Sequence, residues 1–433
     1  MNNGFYKNRR LKSLLFFVVC LSVSTIPHIF HFKYFLSFTF AISFLIACYG
    51  LYVISKNLDR NVSSTKNYKK ISDDNLPTLD ILVAARDEEN VIERLVERLF
   101  NLDYPTNKLN IYIIDDGSSD KTPLILERLS REFDKLKIIS RSANAGGGKS
   151  GALNYALKFT YGEWILILDA DAQLKKGTLR RLFSFVYEGS WSAVQLRKSV
   201  INVSKNFLTS CQSMEMAMDA IFQYGRLSVA GVSELRGNGQ LINKKVLLKC
   251  GSFNEDTVTD DLDLSLRLLL TKAKIGILWD PPVMEEAVEN ISALFSQRQR
   301  WAEGGLQRFF DYGEQLLSKK IELIQKFDLT FFFILQYALP IISMIDLILS
   351  IALAESPSYL PISITAFTLS GIAVWYGSSC KSEGPILQNL NLMMMLVSLL
   401  YLSHWFVVIP WVTIKMSIFP KKILWKKTLH TGV

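Results

Sequence analysis

Residues 164–171 read Trp-Ile-Leu-Ile-Leu-Asp-Ala-Asp, and they restrict the fold more than any other stretch of the 433-residue chain. An apolar run with no polar face predicts a strand covered on both sides, as in a parallel sheet layered between helices. This strand ends on two carboxylates, Asp169 and Asp171. In open α/β sheets the carboxyl edge is where ligands bind. Paired hard oxygen donors there suit Mg²⁺ or Mn²⁺ shared with a diphosphate. Taken alone, Asp-Ala-Asp is better explained as a polar turn after a strand. Its neighbours must decide.

The segment before it repeats one rhythm. Residues 79–85, 109–114 and 136–140 read as short strands, with helices expected over 88–100, 123–133 and 152–159. Strand and helix in regular alternation are the pattern of a βαβ parallel sheet. The second strand runs into Asp115-Asp116-Gly117-Ser118, and Gly146-Gly147-Gly148-Lys149 precedes the strand at Trp164. After Asp171 the rhythm loosens to a helix over 177–186, a strand over 191–198 and a long apolar helix over 207–224. Glu215 and Asp219 interrupt that helix, which suits either core packing or a membrane-surface position.

Hydrophobic residues make up 49% of the chain and charged ones 21%, which fits one sizeable soluble domain plus membrane helices. Apolar runs over 14–30 and 34–54 predict a helical hairpin retained in the bilayer rather than a cleaved leader. Further runs over 328–354, 359–376 and 389–419 are also apolar enough to cross. The formal charge of +9 gathers at 7–12, 56–70 and 421–427, beside apolar runs. That placement favours anionic lipid headgroups over nucleic acid and puts the soluble domain in the cytoplasm. Three C-terminal crossings would leave the basic tail outside, so a surface or re-entrant piece is expected near Pro410. Asp346 lies inside a membrane run, where a carboxylate implies a partner, either bundle hydrogen bonding or an acceptor. Five scattered cysteines without metal spacing predict free thiols in a reducing compartment.

The expected organisation is a membrane hairpin (1–55), a cytoplasmic linker (56–77), an α/β domain (78–310), an interfacial connector (311–327), a membrane region (328–419) and a basic tail (420–433). Four polar sites are spaced through the α/β domain and would meet at one sheet edge. Asp116 suits hydrogen bonds to a nucleobase, or an ordinary helix cap. Lys149, after three glycines, suits neutralisation of a diphosphate, or an exposed turn, since the spacing is not that of a Walker motif. Asp261 suits a general base toward an acceptor hydroxyl attacking an anomeric carbon. N-capping explains Asp260 but not three carboxylates in four positions over 260–263. Gly237-Asn238-Gly239 would let backbone approach a sugar or phosphate. Arg300 suits phosphate pairing and Trp301 sugar stacking, or both are interfacial anchors.

Together, Ile114-Asp115-Asp116-Gly117-Ser118, Asp169-Ala170-Asp171, Gly237-Asn238-Gly239, Thr259-Asp260-Asp261 and Gln297-x-x-Arg300-Trp301 resemble the membrane-bound branch of glycosyltransferase family 2, the cellulose and hyaluronan synthase-like enzymes. The resemblance implies a GT-A (Rossmann-like) α/β domain flanked by N- and C-terminal transmembrane helices. It implies a UDP-sugar donor, a divalent metal (Mg²⁺ or Mn²⁺) and inversion at the anomeric carbon. It places nucleotide-sugar contacts at Asp116, Lys149, Asp169 and Gly237, and metal contacts at Asp171 and Asp169. It makes Asp261 the base, with Gln297, Arg300 and Trp301 as the acceptor and diphosphate clamp. Asp260 stands where that family usually has Glu. The run Arg300-Trp301-Ala302-Glu303-Gly304-Gly305 is similar to that of cyanobacterial-type synthases that glucosylate diacylglycerol, so a membrane lipid acceptor is expected and no protein partner. A processive β-polysaccharide synthase (cellulose, poly-N-acetylglucosamine or hyaluronan-like), transfer to a polyprenyl phosphate and a non-catalytic membrane scaffold are the alternatives.

Overall fold

The computed structural model describes residues 8–32, 34–63, 71–380, 382–385, 391–419 and 432, with the backbone alone over 59–63. The basic residues at 64–70 and 421–427, and Lys7, lie outside the described residues. Two apolar helices come first, α1 (Arg9–Phe30) and α2 (Phe35–Ser63). The α/β unit then runs β1 (Leu79–Ala85), α3 (Ile92–Phe100), β2 (Leu109–Asp115), α4 (Thr122–Glu132), β3 (Leu136–Ser140), α5 (Gly148–Leu157) and β4 (Trp164–Leu168). It continues through α6 (Thr178–Gly189), β5 (Ala193–Val200), α7 (Phe207–Ala230), β6 (Gln240–Asn243), α8 (Lys244–Lys249), α9 (Asp260–Leu270), β7 (Ile275–Glu285) and α10 (Ile291–Leu317). The C-terminal part holds α11 (Leu323–Phe333), α12 (Leu339–Leu353), α13 (Leu360–Ser379), α14 (Leu392–Leu402) and α15 (Trp405–Ile418).

The seven strands form one sheet in the order β3-β2-β1-β4-β6-β5-β7. The first four are parallel, as their strand-helix rhythm predicts, and every residue of β1 and β4 is buried. Apolar helices cover both faces, which is why these strands have no polar side. β6 runs antiparallel to both β4 and β5. Because β1, β2 and β4 point the same way, Ala85, Asp115 and Leu168 all end at one edge, and the loops after them carry the polar motifs.

Two helices position the polar motifs. α5 begins at Gly148, so Lys149 belongs to its first turn rather than to a loose glycine loop. α10 is a single helix from Ile291 to Leu317, so Gln297, Arg300 and Trp301 project from the middle of a long helix. α7 packs on α2 and α13. A buried ion network joins it to the membrane part: Arg226 Nε donates to Asp328 of α11 at 2.9 Å, and Glu234 meets Arg226 at 3.4 Å and Arg308 of α10 at 3.1 Å.

Among the described residues, five helical runs are long and apolar enough to cross a membrane: Arg9–Phe30, Phe35–Leu58, Leu323–Leu353, Leu360–Ser379 and Leu392–Ile418. The last is broken at Ser403-His404, not near Pro410, which lies inside α15. Phe406 stacks on Phe367 of α13 at 5.3 Å, while Ser417 reaches Ser13 at 3.3 Å and accepts from Arg10 at 2.9 Å. The end of α15 thus lies beside the start of α1, where Arg9 donates to Asp311 of α10 at 2.8 Å.

Asp346 serves the helical bundle. It accepts from the backbone N–H groups of Ser358 and Tyr359 at 3.1 and 3.0 Å, and pairs with His28 Nε2 at 2.8 Å. It therefore pins the turn into α13 to α1 and α12. Replacing it with Leu strands these donors, so Asp346→Leu is expected to lose about 3 kcal/mol of stability. Thermal unfolding in detergent measures the loss, and turnover of the protein that remains folded should be unchanged.

Candidate active site

The carboxyl edge of the sheet opens into a cavity of about 1090 Å³. Lys149, Asp169, Asp171, Gly237, Asp260, Asp261, Gln297, Arg300 and Trp301 all line it, although they come from five separate stretches of chain. β4 delivers Asp169 and Asp171 from its end. Asp169 pairs with Lys149 at 2.5 Å, and Asp171 is buried and accepts the backbone N–H of Glu286 at 2.8 Å. Burial alone would lower the Lys149 pKa, but Asp169, Asp260 and Asp261 together more than offset it, so Lys149 stays cationic.

Asp116 does not line the cavity. It is buried and pairs with Arg141 at 2.6 Å, and Arg141 also donates to the Gly146 carbonyl at 2.7 Å. Asp116 therefore fixes the glycine turn from which α5 and Lys149 emerge. That turn takes positive φ at Gly146, Gly147 and Gly148 in succession, which only glycines adopt without strain.

Asp260 and Asp261 open α9. Thr259 is its N-cap but makes no side-chain capping bond, and Asp260 Oδ2 is buried with no hydrogen-bond partner among the described residues. Ordinary capping thus does not explain this pair. Asp263, by contrast, is structural: it holds Arg267 at 2.7 Å and Tyr312 of α10 at 3.0 Å. Burial, then the adjacent Asp260 charge, pushes the Asp261 carboxyl up to about 6. Gly237, at φ 83°, passes so close that a Cβ there would lie 3.4 Å from Asp261 Oδ2. Asn238 accepts the Asp169 backbone N–H at 3.2 Å and donates to Glu285 at 3.2 Å, tying this turn to β4 and β7.

Several site residues carry no local sequence signal. Lys198, at the end of β5, pairs with Glu285 at 2.7 Å beside Trp301, and Arg236 chelates Asp219 at 2.8 and 3.1 Å. The Arg298 guanidinium lies 4.0 Å over the Trp301 ring and pairs with Glu215 of α7. Glu215 also accepts from Tyr401 and Trp405, each at 2.9 Å. The available hints were Glu215 and Asp219, acids interrupting a largely apolar helix.

Gly304 and Gly305 let α10 approach on two sides. A Cβ on Gly304 would lie 2.0 Å from Thr259 Oγ1, and one on Gly305 would lie 1.8 Å from the Tyr337 hydroxyl. α10 is thereby wedged between the turn that carries Asp261 and the membrane helices. Beyond it the cavity continues along Phe331, Phe332, Leu335, Leu339, Phe367 and Phe406, all in membrane-span helices.

Among the described residues no group of three or more His, Cys, Asp or Glu side chains is set to hold a metal ion. Asp169 and Asp171 nonetheless fit a hard divalent cation, which is commonly held by one or two carboxylates and completed by substrate phosphate oxygens.

This sheet order, with acids at its edge and a base candidate across the cavity, defines a glycosyltransferase of the GT-A fold. The solved mannosyltransferase PcManGT from Pyrobaculum calidifontis, in complex with GDP-Man and Mn²⁺, has the same fold, with a TM-score of 0.60 at 18% identity over 87% of this chain and 98% of that one. The sequence profile "Glycosyl transferase family 2" matches residues 80–249. The chain is 41% identical over 371 residues to the beta-monoglucosyldiacylglycerol synthase of Trichormus variabilis, covering 85% of this chain and 79% of that one. The Synechocystis enzyme of the same name is 40% identical over 359 residues, 82% and 75% of the two chains. The chain belongs to glycosyl transferase family 2.

Gly304→Val is expected to push α10 away from Thr259 and displace Asp261, and a misplacement of about 1 Å costs roughly 10²-fold in rate. Sugar transfer by the purified variant, compared with its melting temperature, separates this effect from unfolding.

Proposed function

We propose that this protein transfers a glucosyl residue from UDP-glucose to the free hydroxyl of diacylglycerol, with inversion, at the cytoplasmic face of a membrane. One observation carries the reading: a single cavity has the acids and Lys149 at one end and aromatic and aliphatic side chains of membrane helices at the other. An acceptor that is part hydroxyl and part hydrocarbon matches that two-part lining. The names of the relatives in Trichormus variabilis and Synechocystis support the same acceptor and sugar.

Asp261 takes the proton from the acceptor hydroxyl as its oxygen attacks the anomeric carbon and the bond to UDP breaks. A single displacement of this kind inverts the configuration, through a transition state with oxocarbenium character. Lys149 faces the diphosphate, Asp116 holds the nucleotide-side turn through Arg141, and the Gly237 backbone borders the sugar. Gln297, Arg300 and Trp301 close the cavity over acceptor and diphosphate, Trp301 being steadied by Arg298. A divalent cation, Mg²⁺ or Mn²⁺, held by Asp169 and Asp171 would offset the charge of the departing diphosphate. The starts of α1 and the end of α15 share the sheet side, next to basic residues in sequence, which supports a cytoplasmic catalytic domain and contact with anionic headgroups.

Membranes incubated with radiolabelled UDP-sugars are expected to give a chloroform-soluble, single-sugar lipid; label in an insoluble or water-soluble polymer would favour a processive synthase instead. Asp261→Asn should lower transfer by about 10²- to 10⁴-fold while UDP still binds, and undiminished turnover would remove Asp261 as base. The base works ionised, so turnover should rise with pH through about 6 and level off above it. A pH–rate profile between acid and neutral pH reads this directly. EDTA should arrest the reaction, and full activity in chelator would argue against the cation.

A further inference from the structure

The membrane helix Leu323–Leu353 is not regular throughout: residues Ile334–Ala338 form a π-helical stretch between α11 and α12. Such bulges are rare and concentrate at functional sites. Leu335, Gln336 and Tyr337 of the bulge line the cavity. Tyr337 is buried against Gly305 of α10. Gln336 is exposed, and among the described residues its amide has no hydrogen-bond partner.

Its depth is informative. At 1.5 Å per residue the 31-residue run is about 46 Å long, against ~30 Å of hydrocarbon. Counted back from Leu353, about 20 residues fill that layer, which sets Gln336 within roughly one turn of the boundary on the sheet side. At this depth a glycerolipid carries its ester carbonyls. A primary amide there, facing an apolar arm, is costly to leave without a polar partner, and it offers two N–H donors.

We propose that Gln336 donates a hydrogen bond to an ester carbonyl of the acceptor lipid. The acyl chains lie along Phe332, Leu335, Leu339, Phe367 and Phe406, and the glycerol hydroxyl is thereby turned toward Asp261. This assignment rests on the glycolipid reading above. It makes Gln336 a determinant of acceptor class: diesters of glycerol are preferred over otherwise identical diethers, which lack the accepting carbonyl.

The test uses the full chain in mixed micelles with UDP-glucose and two acceptors of equal chain length, ester-linked diacylglycerol and ether-linked dialkylglycerol. Wild-type protein should show a KM about fivefold lower for the diester, the effect expected of one neutral hydrogen bond. Gln336→Leu should raise the diester KM to the diether value and leave UDP affinity unchanged. Equal use of both acceptors by wild-type protein overturns the assignment without needing any variant to fold. An ester preference that survives in Gln336→Leu overturns it as well. If wild-type protein forms no single-sugar lipid at all, the glycolipid reading falls and this assignment falls with it. A lipid product without ester preference removes this assignment alone.

Discussion

Two like charges forced together at the mouth of α9 set the requirements for everything around them. Asp260 and Asp261 are adjacent and poorly solvated; burial raises both carboxyls above their ordinary range, and the Asp260 charge raises Asp261 further. Such a pair is tolerable only with cations nearby and a helix N-terminus beneath it. The fold supplies both. Lys149 comes from the first turn of α5 and Arg236 from the turn before β6, while α9 contributes its own positive end. The glycine turn, the sheet edge and the long helix α10 are the means by which residues far apart in sequence reach that small volume.

Much of this was legible from the chain alone where the physical signal is local. β1 and β4 are buried on both faces, and a strand of that kind must be apolar throughout, so the sequence could be read directly. The acids after β4 and at the start of α9 stand out because they recur in one α/β domain beyond what turns and N-caps require. Other features depend on partners distant in sequence and were not readable. β6 has only four residues and its antiparallel direction is set by its neighbours. The glycines before Lys149 look like a loose turn until Arg141 and Asp116 are seen to hold it. Lys198 and Arg298 gain meaning from Glu285 and Glu215, which lie far along the chain. The break at Ser403-His404 has no breaker residue, whereas Pro410, the visible breaker, is absorbed into α15.

α10 unites chemistry and membrane. Its Gln297-x-x-Arg300-Trp301 face closes the cavity, while its glycine pair admits Thr259 on one side and Tyr337 on the other. A motif that reads as two unrelated requirements, cationic and aromatic residues followed by small ones, is one surface seen in three dimensions. The large residues line the cavity, and the small ones let the helix approach its neighbours closely.

The ion network around Arg226 carries a practical consequence. Asp328 of α11, fully buried, supplies a carboxylate to Arg226 of α7, while Glu234 bridges Arg226 to Arg308 of α10. A water-soluble fragment trimmed before α11 would keep Arg226 but lose its main counter-ion, and the apolar flank of α7 that rests on α2 and α13 would be laid bare. The catalytic half has thus been shaped against a hydrocarbon boundary rather than attached to one, and detergent or lipid is part of its folding environment.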